Sequence, residues 1–250
     1  MYLKILNLLS FSFMLLSNYF IIDVFDNKPI SNISKTYNTN LAPPNWAFSI
    51  WGLIYLYLFI FCIAQFIPSL KLNNFVNNIG IWFIMSNILN SLWIYIFTIG
   101  NPVAIAMSLG IITLLLIVLL ICQSKGKFFS KDSTLSEILL GNIPFSIYLG
   151  WIITATILNL FTTLKAFEFD YIDSNLMYIS GILFVALIYF LNLYKKNNYV
   201  TLVVFIYVLI SLYIKHGNNK TLTLYNITIT IALFILVLCK IIIDIIIKNK

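Results

Sequence analysis

The sequence predicts an all-α fold, a polytopic bundle of membrane-spanning helices. Apolar residues make up 61% of the 250 residues and charged residues only 9%, a balance far from that of an average soluble domain. The mean hydropathy is +0.99. The apolar residues fall into eight runs, each near the length of about 20 residues that crosses a bilayer as a helix. We therefore expect an integral, multi-pass membrane protein.

The predicted spans follow one another through polar connections. The first run, after Lys4, resembles a signal peptide, but it is long enough to span and no small-residue cleavage site follows it, so it is kept as the first helix. The seventh is the shortest and is separated from the sixth only by residues 195–198. The eight spans lie near residues 5–25, 46–68, 76–98, 102–123, 138–163, 175–194, 198–214 and 222–246.

The lysines predict the orientation of the bundle. Every basic residue is a lysine, and a cytoplasmic N-terminus places ten of them inside and five outside. The five are Lys28, Lys35, Lys165, Lys215 and Lys220. Because basic residues are enriched in cytoplasmic loops, both termini are predicted to be cytoplasmic. The formal charge of +7 is distributed singly or in pairs between apolar runs, so nucleic-acid binding is not expected.

No catalytic or metal-binding constellation is visible. Cys62, Cys122 and Cys239 are isolated in apolar runs, and His216 has no second ligand nearby in the sequence. There is no histidine–carboxylate pair, no phosphate-cradling glycine loop and no serine or cysteine beside a base. Hydrolase, kinase or pump chemistry is not indicated, and we assign no catalytic residue, no metal ligand and no required cofactor.

The longest connection, residues 26–44, leads into the second span. Long loops without secondary structure are often functional. This loop is polar and long enough to fold over the outer mouth of the bundle as a lid, although a solvated tether is equally allowed.

The second span begins with two prolines and several large aromatic residues. Proline is tolerated in the first turn of a helix, and tryptophan and tyrosine suit the boundary of the membrane. Trp51 and Tyr55 lie one turn apart on one face, whereas Trp46 is rotated by about 140° from Trp51. Trp46 is therefore a lid or interface contact, or part of an aromatic belt.

The third span has a related pattern, in which Asn90 precedes Trp93 by three residues. Trp82 shares a face with Trp93, and Ser86 lies between them. An asparagine at membrane depth must find a partner or lose free energy on burial. Asn90 is therefore predicted to face protein, either as part of a site or as a contact between helices.

The fifth span carries a stripe formed by Tyr148, Trp151, Ala155 and Asn159, which are spaced three, four and four residues apart. Two aromatic rings, one small residue and one amide could form a slot for a flat ligand, with Ala155 providing the gap. Helix packing is the alternative, because it also favours small residues and interhelical amide bonds in membranes.

Taken in order, the three marked spans resemble the tryptophan-rich sensory protein family, TspO, which includes the mitochondrial translocator protein once called the peripheral benzodiazepine receptor. That family has Pro-Pro-x-Trp-x-Phe and Trp-Thr-x-x-Tyr at its second helix, Leu-Asn-x-x-Trp in the third, and Pro-Tyr-x-x-Trp-x-x-x-Ala-Thr-x-x-Asn in the fifth. The matching residues are Pro43, Pro44, Trp46, Phe48, Trp51, Tyr55, Leu89, Asn90, Trp93, Tyr148, Trp151, Ala155, Thr156 and Asn159.

The resemblance covers roughly residues 1–163 and is not complete. The stretch from Trp46 to Trp51 is one residue shorter than the family pattern, Gly52 replaces the threonine and Ile147 replaces the proline. The three helices after Ser174 have no counterpart in the five-helix members. We therefore expect a TspO-like five-helix core, residues 1–163, and a three-helix C-terminal extension, residues 164–250.

The resemblance implies a receptor or sensor that binds a tetrapyrrole (a porphyrin-like or haem-type molecule) or another hydrophobic aromatic ligand in a pocket under the first outer loop. Lys28 and Lys35 could meet its carboxylates. A transporter of a small hydrophobic or amphipathic solute is the alternative, and a porphyrin-degrading side activity is a third reading. The expected partners are the bilayer, this ligand and, as an open alternative, a second copy in a homodimer. The implied ligand-binding residues are Trp46, Trp51, Tyr55, Asn90, Trp93, Tyr148, Trp151, Ala155 and Asn159.

Overall fold

The computed structural model describes residues 1–24 and 28–248, of which most are helical and none lies in a strand. Eight long helices confirm the predicted polytopic bundle. Seven segments are long and apolar enough to cross a bilayer, while the seventh helix, with 17 residues, falls just short. The helices are α1 Tyr2–Val24, α2 Ile50–Ala64, α3 Ile81–Ile99, α4 Pro102–Lys125, α5 Ile143–Ala166, α6 Asn175–Lys196, α7 Tyr199–Lys215 and α8 Lys220–Lys248.

Three of the helices begin later than the apolar runs predict. Gly80 has φ +48°, so the chain turns there and separates the short helix Asn73–Ile79 from α3. A 3₁₀ turn, Asn45–Ser49, precedes α2, and a π turn, Ile138–Asn142, precedes α5. Composition stays largely apolar through the breaks before α2 and α5, whereas the break at Gly80 follows a stretch rich in asparagine.

Helix α5 is the centre of the bundle and contacts α2, α4, α6 and α7. Inside its membrane window 72% of the residues are buried, compared with 22% for α1 and for α8. Gly150 allows the close approach of α7, because a Cβ at this position would lie 2.9 Å from Cβ of Val204. The C-terminal helices therefore pack directly on the helix that carries the predicted stripe.

Phenylalanine rings fill the end of the bundle opposite the long first loop. Their centroids lie 5.0–6.1 Å apart in tilted and edge-to-face pairs, the geometry that aromatic quadrupoles favour, with one stacked pair. This end is closed by packed side chains. The rings belong to Phe61, Phe75, Phe83, Phe128 and Phe145.

Candidate ligand-binding site

Three tryptophans from three different helices meet beneath the first loop. The ring of Trp51 on α2 stacks on Trp93 of α3, with centroids 5.8 Å apart. It also meets Trp151 of α5 edge to face at 6.4 Å. All three rings line one cavity. The structure therefore brings together Trp51, Trp93 and Trp151, three of the residues that the sequence analysis singled out.

The cavity between these rings is narrow. Its free volume is about 30 Å³, which is roughly the space that one water molecule occupies. A ligand of drug or cofactor size fills a pocket of about 300 Å³ or more, so it does not fit between the rings in this conformation. The cavity is lined by Ile30, Ser34, Ala42, Phe48, Trp51, Trp93, Phe97, Trp151, Ala155, Leu158, Asn159 and Thr162.

Five of the nine predicted residues line the cavity, and Tyr55, Tyr148 and Asn90 do not. Tyr55 stacks on Trp51 with centroids 5.5 Å apart, and Tyr148 meets the same indole edge to face at 6.2 Å. Asn90 is fully buried and accepts a hydrogen bond of 3.1 Å from Nδ2 of Asn18 on α1. Tyr55 and Tyr148 therefore support the Trp51 indole without reaching the cavity, whereas Asn90 joins α3 to α1.

Trp46 lies outside the cavity. It belongs to the 3₁₀ turn before α2, its side chain is 45% exposed, and its ring meets Tyr207 of α7 edge to face at 5.8 Å. The hydroxyl of Tyr207 donates a 3.0 Å hydrogen bond to the carbonyl of Ala47. Trp46 therefore contacts α7 and does not line the cavity, an arrangement that the sequence analysis did not predict.

Aromatic and polar residues outside the predicted set complete the walls. Phe48 meets Trp151 edge to face at 5.9 Å, and Phe97 stacks on Trp93 at 5.4 Å. The spacing contains the signal for two of the missed residues. Phe97 follows Trp93 by one turn, and Thr162 continues the α5 stripe three residues beyond its predicted end.

Two hydrogen-bond donors in the cavity walls are unpaired. The Nε1 groups of Trp93 and Trp151 are buried and have no acceptor among the described residues. In contrast, the side chain of Asn159 has a hydrogen-bond partner in Ser108 on α4. The serine Oγ lies 3.0 Å from Nδ2 of Asn159 and 3.3 Å from its Oδ1. Buried donors are normally paired, and leaving one unpaired costs free energy. The apolar walls therefore hold two N–H donors that have no acceptor among the described residues.

The first loop covers this site. Residues Ile30–Thr36 form a short helix, and Ile30 and Ser34 contribute to the cavity walls. The hydroxyl of Tyr37 donates a 3.2 Å hydrogen bond to the carbonyl of Gly100, at the end of α3. The loop therefore packs over the cavity as a lid would, and residues 28–44 are called the lid below.

His216, the single histidine, touches the lid from the end of α7. Its Nε2 lies 2.7 Å from the carbonyl oxygen of Asn40, and the ring of Tyr178 packs on it with centroids 5.3 Å apart. Burial lowers the pKa of His216 below 6.5, the hydrogen bond to Asn40 opposes this change, and the positive charge of Lys215 adds to it. The folded protein therefore holds a neutral imidazole.

Acid is expected to destabilise the folded chain at His216, because burial and the charge of Lys215 disfavour the protonated ring. Because the folded pKa is below the ordinary value of 6.5, the stabilising contribution of neutral His216 is complete above pH 6.5 and is lost as the pH falls through the folded pKa. An NMR titration of the single imidazole should give a pKa below 6.5, and the denatured chain serves as the control. A folded pKa at or above 6.5 would contradict the burial argument.

The fold and this cavity define a class, that of polytopic helical membrane proteins with an aromatic cavity under the first loop. The chain belongs to the TSPO-like protein family, whose profile matches residues 4–242. The match continues beyond residue 163, where the sequence resemblance ended, and includes α6 and α7. Comparisons with curated proteins and with solved structures gave no significant match.

Proposed function

We propose that the protein is a membrane receptor or sensor that binds a tetrapyrrole-like or other flat aromatic ligand between α2, α3 and α5. The observation that carries this proposal is the convergence of Trp51, Trp93 and Trp151 on one cavity beneath a lid. Membership of the TSPO-like family supports it. The protein would act by passing on the bound state, without covalent chemistry of its own.

The walls favour a ligand that is both flat and supplied with acceptors. Aromatic rings stack on such a plate, and acceptor atoms at its rim or centre would satisfy the unpaired N–H groups of Trp93 and Trp151. Lys28 and Lys35 are exposed on the loop, where they can meet carboxylates at the edge of a ligand. Since the cavity holds only about 30 Å³, binding requires the lid and the rings to separate.

The packing at the far end of the bundle favours a receptor over a transporter. A transporter needs a route from the cavity to the opposite side, usually with interrupted helices or ionisable groups at the midplane. Here the rings of the phenylalanine cluster, Phe61 and Phe145 among them, pack at 5.1 Å on that side. Transport would require this cluster to open as well as the lid.

Replacing Ala155 with leucine is expected to weaken protoporphyrin IX binding at least tenfold, because the added side chain fills the gap in the α5 stripe. Quenching of tryptophan fluorescence measures the affinity, and Ala155→Leu leaves all five tryptophans in place. Trp151→Leu should weaken binding similarly by removing a stacking face. Roughly tenfold corresponds to the loss of one good aromatic contact.

The matched control is Ala232→Leu, because Ala232 is an exposed alanine on α8. It should bind protoporphyrin IX as the unchanged protein does. Equal affinity in the unchanged protein, Ala155→Leu and Trp151→Leu would rule out the cavity as the binding site.

A further inference from the structure

A half-buried cation joins the lid to the C-terminal helices. Nζ of Lys215, the last residue of α7, donates hydrogen bonds to three oxygens of the lid. Two are backbone carbonyls, Ala42 at 2.6 Å and Thr39 at 2.8 Å, and the third is Oδ1 of Asn38 at 3.1 Å. Hydrogen bonds from a charged donor are roughly twice as strong as neutral ones. Lys215 therefore holds the backbone of the lid, not only its side chains.

Three further contacts attach the same short segment. His216 meets the carbonyl of Asn40, whose own amide Nδ2 donates a 2.7 Å hydrogen bond to the carbonyl of Asp173 in the α5–α6 connection. Leu41 is buried and packs on Gly181 of α6. A Cβ added at Gly181 would lie 2.8 Å from Cδ2 of Leu41. All these partners lie in residues 164–250.

Residues 38–42 of the lid, which these contacts hold, also contribute to the site. Ala42 both accepts the hydrogen bond from Lys215 and lines the tryptophan cavity. On the other side, the lid is attached to the core through Tyr37 and the carbonyl of Gly100. Releasing the contacts with Lys215 would therefore free one edge of the lid, while the other edge stays in place as a hinge.

We propose that the C-terminal helices form a latch, made of Lys215, His216 and Asp173, which keeps the first loop closed over the cavity and limits the access of ligand. The inference rests on the proposed function, because a latch has a role only if a ligand enters beneath the loop. It assigns a task to the extension that the five-helix core does not explain. In the closed state the lid is held and the cavity is narrow. Breaking the latch allows the open state, in which the lid has moved away from the cavity.

Opening of the lid is measured without ligand, through the reactivity of a cysteine in the cavity wall. The parent protein carries Cys239→Ser, because Cys239 is exposed whereas Cys62 and Cys122 are buried. Ser34→Cys then places a single reactive thiol on the half-buried face of the lid helix. Labelling by a water-soluble maleimide reports how often the lid opens.

Lys215→Met is expected to raise the labelling rate about tenfold over the parent, because three charge-assisted hydrogen bonds are lost. Lys220→Met is the matched control, an exposed lysine at the start of α8, and should leave the rate unchanged. Asn40→Ala removes only the bond to Asp173, so it should give a smaller increase, about threefold, and it alters no buried charge. Equal rates in Lys215→Met, Asn40→Ala and the parent would overturn the latch.

Ligand association separates this proposal from the proposed function. Lys215→Met should also speed the association of protoporphyrin IX by a factor close to that of the labelling rate. Faster labelling with unchanged association would overturn control of access by the latch. A parent protein that binds no protoporphyrin IX would instead refute the proposed function, and the labelling rates would still decide whether the C-terminal helices hold the lid.

Discussion

Trp51→Ala is expected to lower the free energy of unfolding by about 4 kcal/mol, whereas Trp46→Ala should cost about 1 kcal/mol or less. The difference follows from burial, because Trp51 is 8% exposed and Trp46 is 45% exposed. Removing the Trp51 indole leaves a cavity among rings that pack on both its faces and its edge. Those rings belong to Tyr55, Trp93, Tyr148 and Trp151.

Denaturant unfolding in lipid nanodiscs, followed by helical circular dichroism, measures both losses. The pair is a strict comparison, because the two tryptophans are five residues apart in one motif and the substitution is the same. Trp46→Ala controls for the loss of an indole at the membrane boundary. Similar losses in the two variants would mean that the aromatic cluster around Trp51 does not stabilise the fold.

The sequence predicts the helices well because few backbone structures can cross a bilayer. A run of apolar residues long enough to cross must satisfy its backbone hydrogen bonds internally, so helix is the only economical interpretation. The beginnings of helices are harder to predict. At Gly80 a positive φ ends one helix only one residue before the next begins, and the 3₁₀ turn at Asn45–Ser49 is continuous with the aromatic start of α2.

The site could be predicted only where one helix determines it. Trp151, Ala155 and Asn159 share a face by periodicity, and all three line the cavity. Trp46 precedes the regular helix, so helical periodicity gives no reliable direction for it. The contact of Lys215 with Ala42 joins residues 173 positions apart, and no local pattern encodes such a contact. The width of the cavity depends on side-chain rotamers, which sequence spacing does not contain.

Gly150→Leu is expected to cost about 3 kcal/mol and to loosen α7 from α5. A Cβ at Gly150 would lie 2.9 Å from Cβ of Val204 on α7. Val204 is β-branched, so on a helix its side chain has little rotamer freedom with which to move away. The carbonyl of Gly150 also accepts a hydrogen bond from Tyr189 of α6, whose hydroxyl is 2.9 Å from Oγ1 of Thr154. Separating the helices would strain this buried network too.

Gly110→Leu is the matched control, because a Cβ at Gly110 on α4 meets no atom within 4 Å. Unfolding in nanodiscs should show a loss of stability for Gly150→Leu and little change for Gly110→Leu, and equal stability in both would contradict close packing of α7 on α5. The same displacement would move Lys215 at the end of α7 away from the lid. Gly150→Leu should therefore also speed labelling of Ser34→Cys, although Gly150 lies on a different helix from Lys215 and from Ser34. That coupling is expected only if the C-terminal helices hold the lid as one packed unit with α5.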